Sequence, residues 1–345
     1  VIETFYSKSF ASDNHAGAHP SVIAAAGAAN DGDAVPYGGD PWTDALDVRI
    51  RAEFGDAATN LVVLNGTGAN MVGLSLMLGR RYEAVICPET AHIAGHEGGA
   101  SERVLGVKLL TVPTPDGKLT PGDVTARLAD PEDFNAVQPK VVSISQVTEI
   151  GTCYTLEEVT ALAETVHANG MLLHMDGARL ANAAAYLGCS LRALTTDAGV
   201  DVLSFGASKN GAMIGEAVVV LRPELAEGGS ILRRQTLQLA SKMRFVSAQI
   251  SALLTDELWR RNAAHANAMA RRLADAVEDL PGLTIRWPVQ SNAVFASIPA
   301  EAAAVLQARF RFHVMDGAAR WMTAFDTTPE DVDTFATAIR QALKG

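Results

Sequence analysis

The sequence predicts an α/β fold: a mostly parallel sheet with helices on both faces, followed by a smaller C-terminal α+β domain. Short apolar runs separated by helical patterns recur through the central region, as they do where crossover helices join parallel strands. After about residue 245 the texture changes to a long Ala-rich helical stretch and then short strands. A boundary there divides the chain into 1–245 and 246–345. The composition, 48% hydrophobic and 19% charged over 345 residues, supplies a sizeable core and argues against disorder.

The expected strands are LVVL (Leu61–Leu64), AVIC (Ala84–Cys87), VKLLTV (Val107–Val112), KVVSIS (Lys140–Ser145), MLLHMD (Met171–Asp176), DVLSF (Asp201–Phe205) and EAVVVL (Glu216–Leu221). Runs this apolar suit strands covered on both faces. The first leads through a Gly-containing turn into a helix over Ala69–Leu78. In TLEEVTALAETVHANG, Thr155 and Glu158 form a capping-box pattern and Gly170 stands at a left-handed stop. Downstream, the pattern predicts a helix over Ser247–Glu278, strands over Thr284–Trp287 and Ala293–Ile298, and a closing helix over Pro329–Leu343. Thr328 caps that last helix, with Pro329 at its first position.

The formal charge of −11 comes with no basic run longer than Arg80-Arg81 or Arg233-Arg234, which argues against nucleic acid as a partner. No apolar run approaches a membrane span. The N-terminal VIETFYSKSF lacks the basic-then-apolar shape of a secretion signal. Cys87, Cys153 and Cys189 are scattered and odd in number, which suits a reducing, cytoplasmic setting and gives no zinc spacing.

Three features point to a site. Asp176 ends an apolar strand in LHMDGARL, and Gly177 and Ala178 begin a turn into a helix; ligands of open α/β sheets bind at such strand ends. An Asp there also reads as a helix N-cap. One strand later, Lys209 lies in SFGASKNGAM among small, uncharged residues. An amine in such surroundings, partly buried beside a cation, has a depressed pKa and becomes nucleophilic; an ordinary surface lysine is the alternative. Third, LNGTGANM (Leu64–Met71) runs strand, Gly-Thr-Gly, helix, and backbone N–H groups with a hydroxyl at a helix start cradle phosphate. It lacks the lysine of a Walker motif and the third Gly of the dinucleotide fingerprint.

Together the three fit pyridoxal phosphate, which needs an anion site, an amine for a Schiff base, and an acid that keeps the ring nitrogen protonated. Lys209 is the amine and Asp176 the acid. Ser204 and Ser208 are candidates for phosphate hydroxyls, or turn residues. His92 and His96, four apart, could face a metal from one helix, but no third ligand is evident. His15 and His19 lie in a small-residue loop and either line the site or belong only to the loop.

The ordered set SDNHAGAHPSV, NDGDAVPYGGDPWT, NGTGAN, AHIAGHEGGA, HMDGARLANAA, SFGASKNG, SKMRFVSAQ and ARWMTAFD resembles the threonine aldolases, and most of all the bacterial low-specificity L-threonine aldolases, over nearly the whole chain. The resemblance implies the seven-stranded sheet of the aspartate-aminotransferase-like fold. It implies that Gly66 and Thr67 bind phosphate, that His92 stacks on the cofactor ring, and that Asp176 and Lys209 hold the ring nitrogen and the Schiff base. It further implies Arg179 near the cofactor and the substrate carboxylate, Arg320 gripping that carboxylate with Ser12 beside it, Arg244 reaching the cofactor site of a neighbouring subunit, and Tyr37 on the substrate side in a loop at the subunit boundary of a dimer-based tetramer. One departure stands out: where many relatives carry a histidine after the KVVSIS strand, SQVTEIGT places Glu149. The base that takes the substrate hydroxyl proton is then His92, or a water ordered by Glu149 or a histidine.

The expected reaction is retro-aldol cleavage of L-threonine, L-allo-threonine or a bulkier β-hydroxy-α-amino acid such as phenylserine to glycine and an aldehyde. An aminotransferase or β-eliminating lyase would keep the cofactor and break another bond. A third reading is a cofactor-free binding or regulatory protein on the same scaffold, and the presence of both Asp176 and Lys209 argues against it.

Overall fold

The computed structural model describes residues 8–315 and 317–344; most of VIETFYSKSF lies outside them. Among the described residues, seven strands form the larger sheet: β1 (Thr59–Val63), β2 (Glu83–Pro88), β3 (Lys108–Val112), β4 (Gln138–Ser145), β5 (Leu172–Gly177), β6 (Val202–Phe205) and β7 (Glu216–Val220), in the order β1-β7-β6-β5-β4-β2-β3. The pairings β2–β3, β2–β4, β4–β5 and β5–β6 are parallel, while β7 runs antiparallel to β1 and β6. Strands β5, β6 and β7 are buried along their whole length, which is why their sequences read as continuous apolar runs.

This topology gathers the site. The parallel strands end at one edge, and there follow the Asn65–Thr67 turn after β1, His92 after β2, Glu149 after β4, Asp176 at the end of β5 and Lys209 after β6. Because β7 is antiparallel, its first residue, Glu216, pairs with Val63 at the end of β1 and reaches the same edge. Ligands of open α/β sheets bind at such an edge.

A second, antiparallel sheet comprises β8 (Thr284–Ile285), β9 (Ala293–Ser297), β10 (His313–Met315) and β11 (Ala318–Met322), in the order β10-β11-β9-β8. Its core joins Trp321, Phe310, Phe312 and Phe335 to Phe10 from the start of the chain. Phe10 stacks on Phe335 with ring centroids 4.2 Å apart. The Phe10 N–H donates to the Arg311 carbonyl at 2.9 Å, and its carbonyl accepts from Met322 at 2.8 Å. The residues after Phe10 are thereby fixed against β11, and Ser12 is delivered to the same place as Arg320.

Two expectations are corrected. The helix expected over Ser247–Glu278 is two helices, Arg244–Leu254 and Leu258–Val277, separated by a short turn. There Asp256 and Glu257 take left-handed φ values of 47° and 53°. Left-handed backbone is unfavourable for non-glycine residues, so packing overrides propensity. The first helix lies against Pro20–Ala28 and Pro41–Phe54, the second against Leu180–Leu187 and Pro329–Ala342, and one straight helix cannot serve both. The strand expected over Thr284–Trp287 spans only Thr284–Ile285. The Thr155/Glu158 capping box is formed, with Thr155 N–H to Glu158 Oε2 at 2.8 Å and Glu158 N–H to Thr155 Oγ1 at 3.2 Å. Among the described residues no helix is long and apolar enough to cross a membrane.

Candidate active site

Two cavities adjoin at the sheet edge and share Asn14, His92 and Lys209 in their walls. One, about 280 Å³, is lined by Asn65, Gly66, Thr67, Asp176, Ser204 and Glu216 among others. The other, about 380 Å³, lies toward the second sheet and is lined by Ser12, Glu149, Arg179, His313 and Arg320.

In the first cavity the Gly66–Met77 helix points its N-terminus inward. Asn65 caps it, its Oδ1 accepting from the Gly68 N–H at 2.8 Å, and the Asn65 carbonyl accepts from Ala69. Among the described residues the amides of Gly66 and Thr67 have no acceptor. Open N–H groups at a helix start form an anion site. Asp176, 8% exposed, accepts from the Ala178 N–H and from Asn70 Nδ2, each at 3.0 Å. These donors are neutral, and among the described residues Asp176 has no salt bridge. Two residues earlier on the same strand face, His174 sits between the hydroxyls of Ser143 (2.9 Å) and Ser204 (3.1 Å). Burial pushes its pKa down to about 4, so it stays neutral and does not discharge Asp176. The cavity wall therefore carries an anion whose charge is unspent, which favours a protonated ring nitrogen.

Lys209 lies on the short Ser208–Asn210 turn after β6 and is half-buried. Among the described residues its Nζ has neither a hydrogen bond nor a salt bridge. The turn is fixed from below by Glu216, whose Oε2 accepts from the amides of Ala207 and Ser208; burial raises the pKa of that carboxyl. The approach is close: a Cβ on Gly206 would stand 2.4 Å from the Ala178 carbonyl oxygen, so only glycine fits.

In the second cavity the two guanidiniums differ. Arg179 is clamped by Asp13, Nε to Oδ2 at 2.7 Å and Nη2 to Oδ1 at 2.9 Å, with Asn292 Nδ2 adding 3.0 Å to Oδ2. Burial opposes ionisation of Asp13, but Arg179 outweighs it, aided by Lys209 and Asn292, and holds the pKa at about 2. Among the described residues Arg320 donates only to the Ala11 carbonyl, at 3.1 Å. Its Nε is buried without a partner, and among the described residues it has no salt bridge. Ser12 caps the Asp13–His15 turn, its Oγ accepting from the Asn14 N–H at 3.2 Å.

The sequence candidates thus divide. Lys209, Asp176, His92, Gly66, Thr67, Ser204, Arg179, Arg320 and Ser12 come together. Tyr37 and Arg244 do not line either cavity: Tyr37, with φ 62°, stacks under Arg234, and Arg244 lies over Trp42 and donates to the Gly32 carbonyl. His15 bonds Ser9, and His19 caps the Pro20–Ala28 helix; neither lines the cavities. The sequence reading missed Asp13, Asn14, Asn70, Glu97, Glu216 and Asn292. Four of these lie inside quoted motifs, where nothing distinguishes a polar residue facing inward from one facing solvent. The donor set fits pyridoxal phosphate: open helix-start amides for a phosphate, an unspent carboxylate, and a free amine between them.

Comparison with known proteins agrees with this chemistry. The family model described as beta-eliminating lyase matches residues 9–300. The chain is 42% identical over 344 residues to the low specificity L-threonine aldolase of Pseudomonas aeruginosa, covering 99% of each. It is 41% identical to that of a Pseudomonas sp. strain, again covering 99% of each. The threonine aldolase structure from Leishmania major superposes with a TM-score of 0.90 at 30% identity, covering 97% of this chain and 99% of that one.

Proposed function

Because the chain belongs to the threonine aldolase family of pyridoxal phosphate enzymes, we propose that it cleaves L-threonine, L-allo-threonine and related β-hydroxy-α-amino acids to glycine and an aldehyde. The observation that carries this reading is the free amine of Lys209 at the meeting of the two cavities, with an unspent carboxylate on one side and an unpaired guanidinium on the other.

When bound, pyridoxal phosphate supplies an electron-withdrawing ring that draws the electron pair of a breaking Cα bond. The chain's own residues do the rest. The amides of Gly66 and Thr67 would hold the phosphate. Lys209 would anchor the group through its amine, and the Asp176 carboxylate in the same cavity wall would keep the ring nitrogen protonated. Arg320, which has no salt bridge among the described residues, takes the substrate carboxylate, with Arg179 and Ser12 beside it. Fixing the amino group and the carboxylate fixes the direction of the third Cα substituent, and so which bond breaks. His92 Nε2 takes the proton of the β-hydroxyl as the Cα–Cβ bond opens and the aldehyde leaves. A proton delivered to Cα completes glycine.

We place Tyr37 and Arg244 at a boundary between copies, in a cytoplasmic homotetramer built as a dimer of dimers. In support, Tyr37, 47% exposed, shares the wall of one surface cavity with Ile231, 65% exposed, and adjoining exposed apolar residues fit an interaction face. The test of the activity is acetaldehyde release from L-threonine with no keto acid present. Turnover that requires a keto-acid acceptor, or release of ammonia and a keto acid, would assign the chain to transamination or β-elimination.

A further inference from the structure

The wall shared by the two cavities holds a continuous hydrogen-bonded path. His92 Nδ1 bonds Glu97 Oε1 at 2.8 Å, Asn70 Nδ2 donates to the same oxygen at 2.7 Å, and Asn70 Nδ2 also donates to Asp176 Oδ2 at 3.0 Å. We infer that Glu97 and Asn70 are positioning residues that form one bridge between the histidine and the carboxylate, setting the tautomer of His92 and the orientation of Asp176 before any ligand enters. This rests on the aldolase reading for the roles of His92 and Asp176.

The geometry leaves little freedom. Asn70 touches two carboxylate oxygens with one nitrogen, so that nitrogen must be the amide NH2, each hydrogen given to one carboxylate. Glu97 Oε1 is then an acceptor, and His92 must present its hydrogen on Nδ1. In the neutral ring the lone pair falls on Nε2, the atom a base needs. The arrangement is costly as pure structure. The Glu97 side chain is fully buried, and its Oε2 and the Oδ1 of Asn70 are buried without partners. Unsatisfied buried acceptors destabilise, so the bridge is better explained by what it orients than by what it stabilises. The hydrogen bond that His92 donates to Glu97 raises the pKa of His92, against a smaller effect of burial and with help from Glu149 and Asp176. Among the described residues, the other titratable groups that share the cavity with the ring are His96, Lys209, Arg179, Arg320 and His313.

The test uses holoenzyme labelled with 15N-histidine, with the His92 signals assigned by their loss in His92→Asn. The wild type should show the Nδ1–H tautomer and titrate above the exposed histidines. Glu97→Gln keeps an acceptor for both donors and removes the charge. It should lower the proton affinity of His92 about tenfold, and the acid limb of kcat/KM should move to lower pH with it. The KM for threonine should stay within about twofold. In Asn70→Ala the half-saturating cofactor concentration should rise about tenfold. An Nε2–H tautomer in the wild type, or an unchanged titration in Glu97→Gln, overturns the proposal, and an unchanged cofactor affinity in Asn70→Ala removes Asn70 from it. If Glu97→Gln does not accumulate, the wild-type tautomer alone decides. Failure of the wild type to release acetaldehyde would remove the aldolase reading and leave the tautomer result standing, so the two failures are distinct.

Discussion

The two cavities that meet at Lys209 are finished to different degrees. On the cofactor side the carboxyl groups already have donors, and all are neutral: Ala178 N–H and Asn70 for Asp176, and the Ala207 and Ser208 amides for Glu216, whose pKa burial raises. On the substrate side the cations are treated unequally. Arg179 has a carboxylate of its own, Asp13, while Arg320 has only a backbone carbonyl and an orphaned Nε. Neutral donors orient a carboxylate and leave its charge available for a ligand. An internal counter-ion orients a guanidinium and uses most of its charge up. Asp176 and Arg320 are therefore the two groups we propose keep their charge for what binds, while the charge of Arg179 is met by Asp13.

That contrast can be broken by substitution. The largest effect belongs to Asp176. Asp176→Asn keeps the shape and removes the charge, and kcat should fall about 100- to 1,000-fold with a small change in KM. Equal losses in kcat and in threonine affinity would mean that Asp176 does not act on the ring alone. Next is Arg320→Ala. A lost charged hydrogen bond is worth about 1.5–3 kcal/mol, so KM for threonine should rise about 10- to 100-fold while the cofactor dissociation constant holds; an unchanged KM would transfer the carboxylate to Arg179. The smallest is a stability effect. Asp13 is held below its ordinary value of 3.8, at about 2, so its ion pair contributes above that ordinary value and is lost as pH falls through about 2. The contribution is about 2 kcal/mol. Denaturant titrations should show this loss between about pH 4 and pH 2 in the wild type, and Asp13→Asn should lack it. An identical acid slope in the two proteins would mean that Arg179 is not held as described.

The same contrast explains what could be read from the sequence. The cofactor cavity was legible because each part is a contiguous motif at a strand end: NGTGAN after β1, HMDGAR at β5, SFGASKNG after β6. Apolar runs locate the strands, and strand ends locate ligands. Glu216 escaped because it stands at the start of its strand, and only the antiparallel pairing with β1 brings it to that edge. The substrate cavity was legible only through the family resemblance, since Ser12, Glu149, Arg179 and Arg320 come from distant segments that packing assembles. Asp13 could not be found by spacing, because its partner Arg179 is reached only after Phe10 has docked in the second core. The left-handed pair Asp256 and Glu257 was invisible for a related reason, as the Ala-rich pattern on either side favours a helix straight through.

The central claim is that Lys209 carries the cofactor between these two cavities. Borohydride reduction of the holoenzyme followed by peptide mass mapping tests it directly. The account predicts a single pyridoxyl adduct on Lys209, absent from Lys209→Ala; an adduct on another lysine, or none with the cofactor bound, would contradict it.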